Sequence, residues 1–269
     1  MGELKGSYRY TAAFQRVGAL YDESILLLKQ FAHNRDWEII KRKVYQENLL
    51  RKNSSTWISN ILNAVKSRFF VATEPLPNGE QLSRFIACDV PRSCKIQVLY
   101  QYICHSDPLI NRLITGLIAP LLFKYGTYRL TKQMYFDFLS KEKESHPELS
   151  KWSPSVYGKW QRNFFAFLRF SGIMEKSPST KISKPIVRVE SFAFFLYGLL
   201  DRKYSGLEVL KNPLWKRYFM KQEDIDYLLS LTQEKGWVEY HRIGNIVELS
   251  PAYRCLEEWL NGALGRREV

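Results

Sequence analysis

The residues of this sequence best suited to do chemistry are Lys, Arg, Ser and Asn placed where a helix would present them together. In SPSVYGKWQRNFFAFLR, residues 153–169, Ser155, Lys159, Arg162 and Arg169 fall on one side of a helix turning about 100° per residue. Val156, Trp160, Phe164 and Phe167 fall on the other side. Such a helix buries its rings and turns a row of cations and hydroxyls outward, the donor set that grips phosphate oxygens. A similar set stands earlier in the chain. The polar turn Lys52-Asn53-Ser54-Ser55 precedes a helix whose polar side carries Ser59, Asn63 and Lys66, with Arg68 near its end. Amides and hydroxyls at a helix N-terminus hold anions well. Asn63 and Arg162 have the forked ends suited to bidentate contacts with base edges. Arg242, at the tip of a hairpin near the C-terminus, is a further candidate cation. The plain alternative for any one basic face is contact with water alone.

Signatures of catalysis are missing. There is no G-x-x-x-x-G-K-[ST] loop, GxGxxG run, GxSxG elbow or HExxH pair. The four histidines, His33, His105, His146 and His241, read as capping, turn or surface residues. Glu223, Asp224 and Asp226 stand at a helix start, where the helix dipole accounts for them. Cys88, Cys94, Cys104 and Cys255 form no CxxC pair and read as free cytoplasmic thiols. The expectation is therefore a non-enzyme with no catalytic residues, metal site or cofactor.

The net charge is +13, and it gathers in two blocks. Residues 1–70 hold 12 Lys/Arg against 6 Asp/Glu, and residues 151–220 hold 13 against 4. The stretch between them is nearly neutral and the stretch after them acidic. That field favours DNA, RNA or an acidic protein surface, and composition does not choose among these. The apolar run Leu113–Phe123 contains Pro120 and falls short of the roughly 20 residues that span a bilayer. The chain also opens without a secretory h-region, so a cytoplasmic location with no membrane partner is expected.

Elements able to position these groups are mainly helical. The first 70 residues suggest three helices, over 11–32, from Asn34 or Asp36 to Glu47, and from Ser54 or Ser55 through TWISNILNAVKSRFF. This outline resembles a helix-turn-helix domain, residues 1–72. A loop over 73–80 leads into a central helical domain, 80–190, with Gly126–Arg129 as a turn and Thr131 as a cap. Ser153 as N-cap and Pro154 in the first turn open the basic helix, Gly172 closes it, and Ile173-Met174 begins a strand. Residues 176–190 then form a wing or a linker, which makes this end of the domain winged-helix-like. Residues 191–269 combine an apolar helix, an acidic helix over 222–235, and a β-hairpin of WVEYH and NIVEL. A closing helix in PAYRCLEEWL takes Ser250 as its cap. This region is compatible with a second winged unit, one too acidic to read DNA well and suited to packing or protein contacts.

The segments YRYTAAFQRVGALYDESILLLKQF, WEIIKRKVYQENLLRKNSSTWISNILNAVKSRFF and LSKWSPSVYGKWQRNFFAFLRFSGIM resemble the BrxA family of bacterial BREX (bacteriophage exclusion) defence systems. The resemblance runs from about Tyr8 to about Tyr204, as an ordered set of helical segments rather than a catalytic motif. It implies a cytoplasmic, mainly helical protein that binds double-stranded DNA beside a methyltransferase and an ATPase in phage restriction. NSSTWISNILNAVKSRFF and SPSVYGKWQRNFFAFLRF match the family's two helix-turn-helix-like stretches, which places the implied binding role on the residues named above. The part after about residue 205 is longer than the family leads one to expect, and its role stays open. An adaptor that grips acidic protein partners is the alternative, followed by RNA binding and then a metal-dependent nuclease. Whether the chain forms a homodimer is open.

Overall fold

Residues 9–71, 74–244 and 246–265 are described by a computed structural model. They are mainly α-helical, with a small C-terminal β-hairpin and a second, shorter strand pair. The single helix expected over residues 11–32 is instead two, α1 (Phe14–Val17) and α2 (Tyr21–Asn34). Gly18 and Leu20 between them both take positive φ, 63° and 56°, which a continuous right-handed helix cannot contain. Asp36 opens α3 (Trp37–Gln46) by accepting from the amides of Glu38 and Ile39. Ser54 accepts from Trp57 N to open α4 (Ser55–Phe69), which buries Ile58, Ile61, Leu62, Val65 and Phe69. That is the apolar face expected from its period.

Next come α5 (Gly79–Ala87), with Asn78 and Gln81 forming a capping box, and α6 (Arg92–Ser106). A π-helical turn, Ile114–Ile118, joins α7 (Pro108–Leu113) to α8 (Ala119–Tyr125). Thr127–Arg129, expected as a turn, forms strand β1 and pairs antiparallel with β2 (Lys181–Ser183). α9 (Lys132–Glu142) starts on Thr131, and α10 (Pro154–Phe170) starts on Ser153 with Pro154 in its first turn. Gly172, at φ 73°, releases the chain from α10 toward Met174, which bridges to Ile182.

The remaining helices are α11 (Val189–Asp201), α12 (Gly206–Leu210), α13 (Leu214–Arg217) and α14 (Gln222–Glu234). β3 (Val238–Ile243) and β4 (Ile246–Pro251) form the hairpin, and α15 (Leu256–Ala263) follows. Ser250 does not cap that last helix as expected. It stays in β4 opposite Glu239, and Cys255 precedes α15.

The described residues divide into two compact units. One gathers the chain up to Ala19 with Ile103–Pro185, and the other gathers Leu20–Tyr102 with Ile186 onward. This division cuts across the three consecutive segments read from the sequence. In the first unit, α1 seats Phe14 against Trp160 and Phe167 of α10, with ring centroids 5.2 and 6.0 Å apart. Asn163 fastens the same contact by donating to the carbonyls of Phe14 and Gln15 at 3.1 and 3.0 Å. Tyr135 stacks on Trp160 and Phe164 from α9. Each ring buried this way contributes about 1.5–3 kcal/mol, so α10 is held firmly by its inner face.

In the second unit α11 is buried along its length, from Ser191 through Leu199. A helix apolar on all sides is stable only when covered on all sides. Phe85 reaches Phe194 from α5, Trp215 reaches Phe192 from α13, and Trp259 stacks on Tyr197 from α15.

Candidate nucleic-acid interface

With Trp160, Phe164, Phe165 and Phe167 taken up by the core, the opposite side of α10 faces outward. Ser155, Lys159 and Arg162 are exposed there. Neither Lys159 nor Arg162 has a carboxylate within ion-pair distance among the described residues. Their charges are therefore available to an anion. Ser155 Oγ lies 2.9 Å from Ser153 Oγ at the cap.

Arg169 differs from the others. It is half-buried, and its Nη2 donates to the carbonyl of Ser179 at 3.2 Å. That carbonyl belongs to the loop between Met174 and β2. The loop is held internally as well: Ser179 Oγ donates to Glu175 at 2.8 Å, and Lys181 Nζ sits 3.2 Å from the same carboxylate. The Ser179 hydroxyl and Lys181 hold the Glu175 carboxyl below its ordinary range. Arg129 of β1 stands directly opposite Lys181 of β2, so two cations flank the loop and Lys176 is exposed within it. Sequence reasoning recognised this segment as a wing or linker but not Arg129, Lys176 and Lys181 as a cluster. The β1–β2 register that unites them joins positions far apart in the chain.

On α4, in the other unit, Ser55, Ser59, Asn63 and Lys66 follow one another by four, four and three residues and so share a face. Ser55, Asn63 and Lys66 are exposed, while Ser59 and Arg68 are half-buried. Ser54 Oγ accepts from Trp57 N at 3.3 Å, which leaves its own proton free to donate. Lys52 is already paired with Glu23 of α2 at 3.3 Å.

Arg242 lies in β3 of the same unit and is committed elsewhere. Its Nη1 is 2.6 Å from Asp226 Oδ2 of α14, and its Nε donates to the carbonyl of Gly244. Tyr240 donates to the other oxygen of Asp226 at 2.7 Å. Burial, with that carboxylate beside it, pushes the Tyr240 phenol up to about 12. The twelve predicted contacts thus form two groups on separate units, with Arg242 part of a third, self-neutralised arrangement.

These features define a class: a mainly helical protein that offers unpaired cations on a helix face. Among the described residues no group of His, Cys, Asp or Glu could hold a metal ion, and no helix is long and apolar enough to cross a membrane. The chain belongs to the BrxA family, whose family model matches residues 8–196. Among solved structures it is similar to an uncharacterized protein from Magnetospirillum magneticum, with a TM-score of 0.61 over 78% of this chain and 98% of that one. At 13% identity that likeness shows the fold alone. No curated protein matches the chain.

Proposed function

We propose that this BrxA-family chain is a non-enzymatic DNA-binding component of a BREX phage-defence system. Family membership supports the BREX role. The observation that carries the binding reading is the outer face of α10, where exposed Lys159 and Arg162 lack an acidic partner among the described residues. The order of elements around it supports a winged-helix reading: helices α7–α8, strand β1, helices α9 and α10, a bridge at Met174, a loop, and strand β2. In that arrangement α10 is the recognition helix and residues 175–180 the wing. The α4 face is a second, helix-turn-helix-like contact. Both grip mainly phosphates, so affinity falls steeply with salt and sequence preference is modest. The methyltransferase and ATPase implied by the resemblance are the proposed protein partners.

An adaptor role is the second reading. The Lys52–Glu23 pair favours it, because it is a carboxylate already held by the basic surface beside α4. Fluorescence anisotropy with a mixed-sequence duplex across a salt series separates the two. Tight, salt-steep binding that Lys159→Glu/Arg162→Glu weakens is the expected result. Binding unaffected by that double change, in protein that still folds, would overturn the assignment.

A further inference from the structure

In the first unit, one sharp turn brings two tyrosines together at the surface. Tyr125 ends α8 and is 51% exposed. Gly126, at φ 71°, turns the chain into β1, and Tyr128 comes back against Tyr125. Their ring centroids are 5.0 Å apart and their planes 31° from parallel. Tyr128 is the anchored member, half-buried and opposite the fully buried Ile182 of β2. Tyr125 is the open member. The turn beside it is open too: apart from its chain neighbours, no described residue comes within 4 Å of where a Cβ on Gly126 would stand.

Positive charge accompanies the rings. The Lys124 ammonium lies 5.0 Å from the centre of the Tyr125 ring. Arg129 is exposed at the end of β1, on the other face of the two-stranded ribbon, with Lys181 opposite it. Lys181 is paired with Glu175, but Lys124 and Arg129 have no carboxylate within ion-pair distance among the described residues. A single exposed ring is ordinary on a protein surface. Two rings in contact, joined by an open turn and flanked by unpaired cations, are the parts of a surface on which bases stack.

The ligand follows from those parts. A ring attracts a base face through contact area, and a base stacked on an aromatic ring is held more strongly than an exposed cation over it. A base arriving at Tyr125 therefore displaces the Lys124 ammonium, which can then turn to the phosphate of the same strand. Bases within a duplex have both faces covered by their neighbours, so only unpaired bases can use the site.

We propose that Tyr125 and Tyr128, with Lys124 and Arg129, form a stacking site for the unpaired bases of a single-stranded nucleic acid, DNA or RNA. The site uses neither the α4 face nor the α10 face, and it stands whether or not those surfaces hold a duplex.

The test is fluorescence anisotropy of the full chain with a labelled oligothymidylate, which forms no duplex with itself. An abasic strand of equal length serves as the comparison. Oligothymidylate should bind more tightly than the abasic strand. Tyr125→Ala should weaken oligothymidylate about tenfold, the loss of one stacked base, and bring it to the level of the abasic strand. Tyr125→Phe, which keeps the ring, should retain the affinity. Lys124→Met should lower the slope of log affinity against log salt by about 0.7, one phosphate contact on a single strand. Tyr227→Ala, which removes a 63% exposed tyrosine from α14 in the other unit, should change nothing. Equal binding of the abasic strand and oligothymidylate by the wild type would overturn the site, as would Tyr125→Ala that binds oligothymidylate as the wild type does. Tyr125→Ala that weakens a duplex as much as oligothymidylate would also overturn it, because the site is one for unpaired bases. Failure of the duplex to bind bears on the α10 face alone. Oligouridylate and oligodeoxyuridylate differ only in the 2′-hydroxyl, so tighter binding of the first assigns the site to RNA and tighter or equal binding of the second to single-stranded DNA.

Discussion

Arg169 Nη2 and the carbonyl oxygen of Ser179 are 3.2 Å apart, and this one bond ties the last turn of α10 to the loop that follows it. Arg169 was expected to share the outward role of Lys159 and Arg162. It acts instead as a brace between the helix and the loop. Its Nε is buried with no acceptor among the described residues, so the guanidinium is held there by a single edge.

Replacing Arg169 with Ala should therefore loosen the loop more than it weakens any direct contact. The loss of this partly buried bond costs about 1 kcal/mol. Hydrogen exchange over residues 176–180 should accelerate, while exchange in the core of α10 stays slow. Unchanged exchange in that loop would show that Glu175, Ser179 and Lys181 hold it without Arg169.

Lys159 and Arg162 predict the opposite pattern. Each is exposed and, among the described residues, without a carboxylate partner, so Ala at either site should leave stability within about 0.5 kcal/mol. Each change should lower the slope of log affinity against log salt by about 1, the signature of one lost phosphate contact. Thermal melts and duplex titrations on the same preparations check both halves of this claim.

Local signals were the legible part of the fold. Ser54 and Ser153 are caps because a hydroxyl precedes an apolar period, and both are found where that pattern puts them. The same is true of the faces that α4 and α10 bury. What the sequence could not disclose depends on partners distant along the chain. Thr127–Arg129 is a strand only because residues 181–183 pair with it. Ser250 remains in a strand because Glu239 lies opposite, which leaves it unavailable as a cap. The binding candidates divide in the same manner. Exposure of Lys159 and Arg162 follows from helix period, whereas the engagement of Lys52 and Arg242 needed the folded positions of Glu23 and Asp226.

Arg242 offers a direct check on that distinction. Its charge is already matched by Asp226, and Tyr240 donates to the same carboxylate. Arg242→Ala should leave duplex affinity within about twofold, in contrast to the losses at Lys159 and Arg162. It should also raise the Tyr240 phenol further, because the guanidinium beside it favours the ionised form. A large affinity loss would return Arg242 to the interface.

Stability should fall at high pH through the buried tyrosines. Burial pushes Tyr197 and Tyr240 up to about 12, against an ordinary value of 10.0, and raises Tyr10 and Tyr135 as well. A phenol raised in the folded state ionises first in the unfolded chain, so the unfolded state binds fewer protons in this range. Its contribution is fully present below pH 10 and is lost as pH climbs toward 12. Guanidinium midpoints measured from pH 8 to 11 should stay level at first and then drop. Ultraviolet titration should show a group of phenols ionising late, with the native signal. Phenols that all titrate together near 10 would contradict the burial of these rings.

Ser54 can separate capping from anion contact. Its oxygen accepts from Trp57 N, while its proton remains free to reach a phosphate. Ser54→Ala should cost about 1 kcal/mol of stability through the lost cap. Ser54→Asp keeps an equally good cap and adds a carboxylate that suits the start of a helix. That carboxylate would stand where the proposed interface needs a phosphate. If α4 contacts DNA, Ser54→Asp folds as stably as the wild type and yet binds duplex roughly tenfold more weakly, since like charge replaces a donor. If α4 serves the fold alone, Ser54→Asp matches the wild type in both measurements, and DNA contact by this protein is left to the α10 face.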